Sequence, residues 1–481
     1  MVVAPLEAQT AAPSVRCHLV LPHIYNEEKK KVFDALQEAT AVSMTTDIWS
    51  SRAMQGYMTV TAHFISNDWK MMSHVLETSR MVESHTAENI ASKLTRVMEE
   101  WKISDKISAV VTDNAANVVK AVGLLKEPTC ALIQTCFPSD TWAVSLSLNL
   151  VVTTALKDAE DVKPVIDAVK EIVNFFHHSV KASDSLRELQ SQQIPNQPHP
   201  LKPINDVPTR WNSTYYMLER YLELHTQVTT ALCLSGRSNL CLGSETVDLI
   251  RLWIPDLKPF EVVTKEISVE KTTTTAKIIP IIQLLHEALT TNGSASRLAQ
   301  ELQKQLRARF PSPQCKFLGA ASTFLDPRLK KDAFTDQSAL QDVQDVLKGR
   351  MKPVNEQETR PRNDEEVSQA TNSFCSKFDA KIQNYLVTAA HPSIKPNTEI
   401  RRLQEEDPIG REQDPLKWWK DHEGLFPQLH SLAKRYLAIP ATSVPSERLF
   451  STAGELVSRK RASLGDNNIN MILFLNKKLK E

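Results

Sequence analysis

Three acidic residues in this 481-residue chain stand where a carboxylate could do chemistry. Asp47 closes the β-prone run AVSMTTD, and Asp113 closes the apolar run ISAVVT. Glu447 falls in the first turn of a helix expected within LAIPATSVPSERLFSTAGELVSRKRASL, residues 437 to 464. Acids at the ends of neighbouring strands converge on one edge of a sheet. Such a set suits two-metal phosphoryl transfer, in which Mg²⁺ or Mn²⁺ takes oxygen ligands, one ion activating a hydroxyl and the other steadying the leaving oxygen. The residues alone leave a plainer use open, because aspartates just after strands commonly serve turns and caps. The separations, 113 − 47 = 66 and 447 − 113 = 334, do not decide between the two.

The elements that must position these acids are readable from pattern. AVSMTTD (41 to 47), MTVTAHFIS (58 to 66) and residues 71 to 81 are short runs joined by polar turns, an antiparallel meander. A helix follows, with Thr86 as N-cap, Glu88 in its first turn and Ile90, Leu94, Val97, Met98 and Trp101 on one face. ISAVVT then reads as a buried strand of the parallel type, and a second helix starts after Asn114. The order β-β-β-α-β-α is that of a ribonuclease-H-like α/β fold. Beyond residue 149 the patterns turn helical. The chain thus reads as a loose tail (1 to 20), the first part of the α/β domain (21 to 155) and a large all-helical insertion (156 to 412). Within the insertion, 349 to 370 is a polar, disordered linker. A helical C-terminal region (413 to 481) returns the third acid and completes the split domain.

Bulk composition narrows the class. The hydrophobic share of 41% and charged share of 24% are those of an ordinary globular protein, and the length exceeds one core. The 57 basic and 57 acidic residues cancel, so global charge lends nothing to DNA affinity, which comes from cations neutralising phosphates. DNA binding is therefore expected to be weak. Seven scattered cysteines, none in a C-x2-C pair, give neither a disulfide framework nor a readable zinc site. The apolar stretch 142 to 156 is too short and polar to span a bilayer, so no membrane role is expected. The basic clusters Lys29-Lys30-Lys31, Arg459-Lys460-Arg461 and Lys477-Lys478 read first as solvated helix faces.

Nine blocks in order carry a resemblance: TTDIWSS (45 to 51), HTAENI (85 to 90), VVTDNAANVVKAV (110 to 122), LNLVV (148 to 152), DVPTRWNSTYYMLERYLE (206 to 223), EISVEK (266 to 271), TFLDPRLK (323 to 330), DPLKWWKDHEGLFPQL (414 to 429) and the 437 to 464 segment. Together they resemble the hAT superfamily of DNA transposases, in its zinc-finger BED-type domesticated branch, from about residue 20 to 477. The resemblance implies that Asp47, Asp113 and Glu447 are the ancestral catalytic, metal-binding acids of a DDE-type transposase. It implies a DNA-holding role for Trp211, with Arg210 beside it, and a dimerisation surface at Trp418, Trp419, Phe450 and Leu456. Core packing would use the same aromatic and aliphatic residues, and a buried staple suits Trp211 equally.

Two departures from the family pattern weigh against catalysis. Where relatives carry C-x-x-H before the LNL block, this sequence has Ala143 and Leu146. Only 46 residues precede Asp47, and no BED finger is read among them. The expectation is a nuclear homodimer that influences transcription through DNA or chromatin partners without transposing. The alternatives are an active metal-dependent transposase or nuclease, and a protein-interaction scaffold with no DNA role.

Overall fold

The computed structural model describes residues 13–50, 54–112, 115–125, 144–193, 199–207, 210–291, 296–351, 394–443, 446 and 466–479. Four strands, β1 (Val42–Ser50), β2 (Gly56–Ile65), β3 (Met71–Met81) and β4 (Ile107–Val111), form one sheet in the order β3-β2-β1-β4. β1 pairs antiparallel with β2, and β2 antiparallel with β3, whereas β4 lies parallel to β1. A mixed sheet of this kind follows from the connections: tight turns join the meander, and a helix carries the crossover to β4. The crossover is α2 (Ala87–Glu100), capped as expected by Thr86, whose hydroxyl accepts the Asn89 N–H at 3.3 Å. α1 (Pro13–Glu38) precedes the sheet, and α3 (Ala116–Leu124) follows β4.

The two faces of the sheet are made differently because β positions alternate. One face offers Val42, Met44, Met58, Val60, Ala62 and Phe64 to Ile90, Leu94, Val97 and Met98 of α2 and to Val32 and Leu36 of α1. The other carries Thr45, Asp47, Thr59, Thr61 and His63. It is covered at one end by the C-terminal helix α16 (Asp466–Leu479), whose Ile469 and Leu473 pack on Tyr57 and Trp49.

The span 1 to 20, expected to be a loose tail, contains the start of α1. Pro13 stands at the first helical position, where a missing N–H costs nothing. The linker expected at 349 to 370 begins inside ordered structure. α12 (Gln337–Arg350) runs through Gly349, and Met351 behind it is buried; residues 352 to 370 lie outside the described ones.

Between α3 and α12 the described chain is helical: α4 (Val144–Asp158), α5 (Val162–His178), α6 (Val180–Gln193), α7 (Trp211–Leu234), α8 (Ser244–Ile267), α9 (Ile278–Thr291), α10 (Arg297–Arg309) and α11 (Phe317–Leu325). α4 to α10 share one core, in which Val165, Val169, Ile172 and Phe176 of α5 show the i, i+4, i+7 stripe of a half-buried helix. A second core joins α11 and α12 to α13 (Ile394–Glu405), α14 (Pro415–His422) and α15 (Leu429–Leu437). Ile65, Trp69, Ala109 and Val111 bring the sheet into that second core.

Candidate functional site

Asp47 lies opposite Thr59 in the β1–β2 ladder and is 9% exposed, its Oδ1 accepting the Ile48 N–H at 2.8 Å. Two residues on, Trp49 stacks on Tyr57 with ring centroids 4.8 Å apart. Asp113 and Glu447 lie outside the described residues, but each is preceded by a residue that is described. Thr112, which follows β4, is buried, and Val111 before it pairs with Thr45. Ser446 is fully buried, with its hydroxyl 2.6 Å from that of Thr45. Blocks 66 and 401 residues from Thr45 in the sequence therefore meet it at β1.

The Ser446–Thr45 contact is one link in a buried polar chain. Thr45 also hydrogen-bonds the Thr61 hydroxyl, which stands 2.9 Å from His63 Nε2. Burial holds the His63 imidazole neutral, its pKa pushed down from 6.5 to about 4 although the Glu270 carboxylate pulls the other way. His74, in β3 near the same end of the sheet, is likewise depressed by burial, to about 3, with Lys478 adding to the effect. A neutral, hydroxyl-bonded histidine is a structural group at physiological pH. The histidines were not among the expected site residues. The alternation Thr59-Thr61-His63 along β2 was the available signal.

Among the described residues, no group of three or more His, Cys, Asp or Glu side chains could hold a metal. Of the three acids expected to bind Mg²⁺ or Mn²⁺, only Asp47 is within the described set. Its carboxylate is the donor type that hard cations take.

The expected DNA contacts stand side by side with unlike surroundings. Trp211 opens α7, is 4% exposed and belongs to the helical core. Arg210, its N-cap, is exposed with an extended backbone. In the C-terminal region Trp419 is fully buried, donating its indole N–H to the Leu325 carbonyl at 2.9 Å and stacking on Trp69. Trp418 is half-buried and stacks on His422 at 4.2 Å. Phe450 and Leu456 lie outside the described residues, as do Arg459, Lys460 and Arg461.

The remaining sequence blocks knit regions together. In TFLDPRLK, Asp326 is fully buried and takes two hydrogen bonds from the Arg328 guanidinium, at 2.8 and 2.6 Å, one from the Arg328 backbone N–H at 3.1 Å and one from Thr273 at 3.0 Å. Lys330 is 1% exposed and gives its ammonium to the carbonyls of Glu406 and Asp407, while burial lowers its pKa. In EISVEK, Glu270 accepts from Ser73 at 2.6 Å and pairs with Lys477 of α16. Lys477, read as a solvated charge, is instead a mostly buried partner joining α16, β3 and the segment after α8. Lys29 pairs with Glu100 at 2.6 Å and lies over the Trp101 ring.

A mixed sheet with this strand order, interrupted by a helical region and closed by a C-terminal helix, defines a ribonuclease-H-like protein with a helical insertion. Comparison with known families makes the assignment specific. Residues 45–134 match the ZBED1 RNase-like domain, 143–240 the ZBED1 RNase-like helical domain, and 399–479 the hAT family C-terminal dimerisation region. Together these three matches are consistent with a domesticated hAT protein of the BED zinc-finger branch. The chain is similar to the human zinc finger BED domain-containing protein 4 (27% identity, covering 96% of this chain and 40% of that protein). It is also similar to a Talaromyces stipitatus protein described as "Putative transcriptional regulator tpeD" (26%, covering 96% and 56%). A third relative is the Zea mays protein described as "Putative AC transposase" (24%, covering 94% and 58%). The chain spans about half the length of the curated relatives it matches. It is a transposase-derived protein with a dimerisation region. Among the described residues no helix is long and apolar enough to cross a membrane.

Proposed function

We propose that the protein is a nuclear homodimer that associates with DNA or chromatin partners to influence transcription and no longer transposes. The observation that carries this reading is the seating of the C-terminal region on the rest of the chain. α14 and α15 share a core with α11 and the sheet, and α16 covers the hydroxyl-rich face, so a dimer built through this region couples directly to the α/β domain. The name of the Talaromyces relative supports the transcriptional part, and Ala143 and Leu146 in place of C-x-x-H support the loss of transposition. The exposed Arg210 supports a phosphate contact beside a buried Trp211. Light scattering at micromolar concentration should return twice the chain mass of 54.1 kDa; a clean monomer would sink the dimer. Gel shifts at low salt should show binding that fades as salt rises, whereas a pure scaffold would show none.

The Thr45–Ser446 contact favours a second reading, because it ties the segment leading to Glu447 onto the strand of Asp47. Here Asp47, Asp113 and Glu447 would hold Mg²⁺ or Mn²⁺ in a DDE-type transposase or nuclease. Manganese-dependent cleavage of a labelled hairpin, lost in Asp113→Asn, would establish it. Intact substrate with well-folded protein would exclude it.

A further inference from the structure

Away from the acids, an open cleft of about 760 Å³ lies where the β2–β3 turn, residues 266 to 277 and residues 411 to 416 come together. Lys70, Lys271, Lys277, Arg328, Arg411 and Lys478 line it. These six cations come from five separate stretches of a chain whose formal net charge is zero. Glu266, Glu412 and Asp414 are the carboxylates on the same walls. Glu266 is engaged by Lys277, and Asp414 caps α14 by accepting the Leu416 N–H. Arg328 is held from behind by Asp326. Lys70, Lys271 and Arg411 are exposed and have no carboxylate partner among the described residues. The cleft therefore presents fixed cations in its wall and movable ones at its mouth.

Its place in the sheet separates it from Asp47. Ser73, on the cleft wall, pairs with His63, which pairs with Ser43, four residues before Asp47. Met71 is two residues further away, so the cleft lies roughly 13–20 Å along the strands from the Asp47 rung, at about 3.3 Å per residue. Among the described residues no exposed aromatic ring lines it: Trp69 is 3% exposed, stacked on Trp419 and bonded to Glu423. A site with cations and hydroxyls but no stacking surface grips phosphates rather than bases.

We propose that this cleft binds closely spaced phosphates, either a phosphodiester strand or a free polyphosphate. The cluster of cations around Glu266 already holds its carboxyl below the usual range, through the Lys277 hydrogen bond first and with Arg411 and Arg328 adding. The site does not depend on the transcriptional reading, since duplex binding through another surface would leave it untouched. The test uses the full chain with two probes, a fluorescent dT12 strand followed by anisotropy and inorganic tripolyphosphate followed by calorimetry. The variants are Lys271→Glu/Arg411→Glu and, as a control of equal charge change outside the cleft, Lys163→Glu/Lys181→Glu. The cleft variant should bind tripolyphosphate at least about ten-fold more weakly, with the control within about two-fold of wild type. For the strand, the slope of log K against log salt should shrink by about 1.4, at about 0.7 per lost phosphate contact. Binding of both probes assigns a strand site, and binding of tripolyphosphate alone assigns a free polyphosphate. The proposal is overturned if neither probe binds in 50 mM salt, if the cleft variant and the control weaken equally, or if a poly-glutamate peptide competes as well as tripolyphosphate. Matching thermal melts of both variants keep a folding defect from mimicking the result.

Discussion

Where β1 finishes, Asp47 sits among hydroxyls that are hydrogen-bonded to one another and closed over by Ser446. Where β3 begins, the same sheet borders an open cleft lined by six cations, two of them braced by carboxylates. The first end is buried and lined with hydroxyls; the second is open and lined with cations. A carboxylate needs neighbours that accept its charge, while a phosphate site needs charge left available to solvent. The chain thus separates Asp47 and its buried hydroxyls from this cluster of cations. Both ends are fastened by residues from the far C-terminal region, Ser446 at one and Lys477 near the other.

Four measurements test this contrast. The largest effect is expected from Asp326→Ala, which strands the buried Arg328 guanidinium behind the cleft wall. A loss of about 3–5 kcal/mol in urea-unfolding free energy is expected, as for any broken buried ion pair. A loss under about 1 kcal/mol would mean that the wall is not braced as described.

The second is a pH titration of stability. His63 and His74 have folded pKa values of about 4 and about 3, below the unfolded value near 6.5. The unfolded chain therefore takes up protons first as pH falls. Their contribution is complete above about pH 6.5 and drains away towards pH 4, at about 1.4 kcal/mol per pH unit for each histidine. His63 alone accounts for about 3 kcal/mol over that window. Urea midpoints at pH 7, 6, 5 and 4.5 should fall steadily, and His63→Gln should flatten the slope. An unchanged slope in that variant would refute the buried neutral histidine.

Third, Thr45→Val removes the link shared by Ser446 and Thr61 at near-constant shape and should cost about 2 kcal/mol. The smallest stability effect belongs to Lys271→Ala, within about 0.5 kcal/mol because the side chain is exposed and unpaired. That variant should nonetheless weaken tripolyphosphate binding. Equal thermal midpoints with unequal affinity would locate function at the cleft rather than in the fold.

Much of the fold was readable because local signals agreed with each other. Thr86 looked like an N-cap and is one, and the 90-94-97-98 stripe faces the sheet as its spacing requires. The strand order followed from tight turns in the meander and a helical crossover. The start of α1 was not anticipated within the expected tail, because contacts of Val32 and Leu36 with the sheet hold the helix and such tertiary contacts leave no local signal. The acids were legible as residue types, but sequence spacing could not show how Ser446 reaches Thr45 across 401 residues. The cleft was not legible at all. Lys70, Lys271, Arg411 and Lys478 form no run in the sequence, and a net charge of zero hides any local excess.

α16 has a consequence for synthesis on the ribosome. Its Asn470 side chain accepts the Thr78 N–H of edge strand β3, a partner made 392 residues earlier. Translation at about 5–20 residues per second leaves that edge and its polar face uncovered for roughly 20–80 s. An open edge strand invites pairing with other chains. The nascent sheet thus emerges with a sticky edge that α16 later covers, and chains released early would be substrates for chaperones.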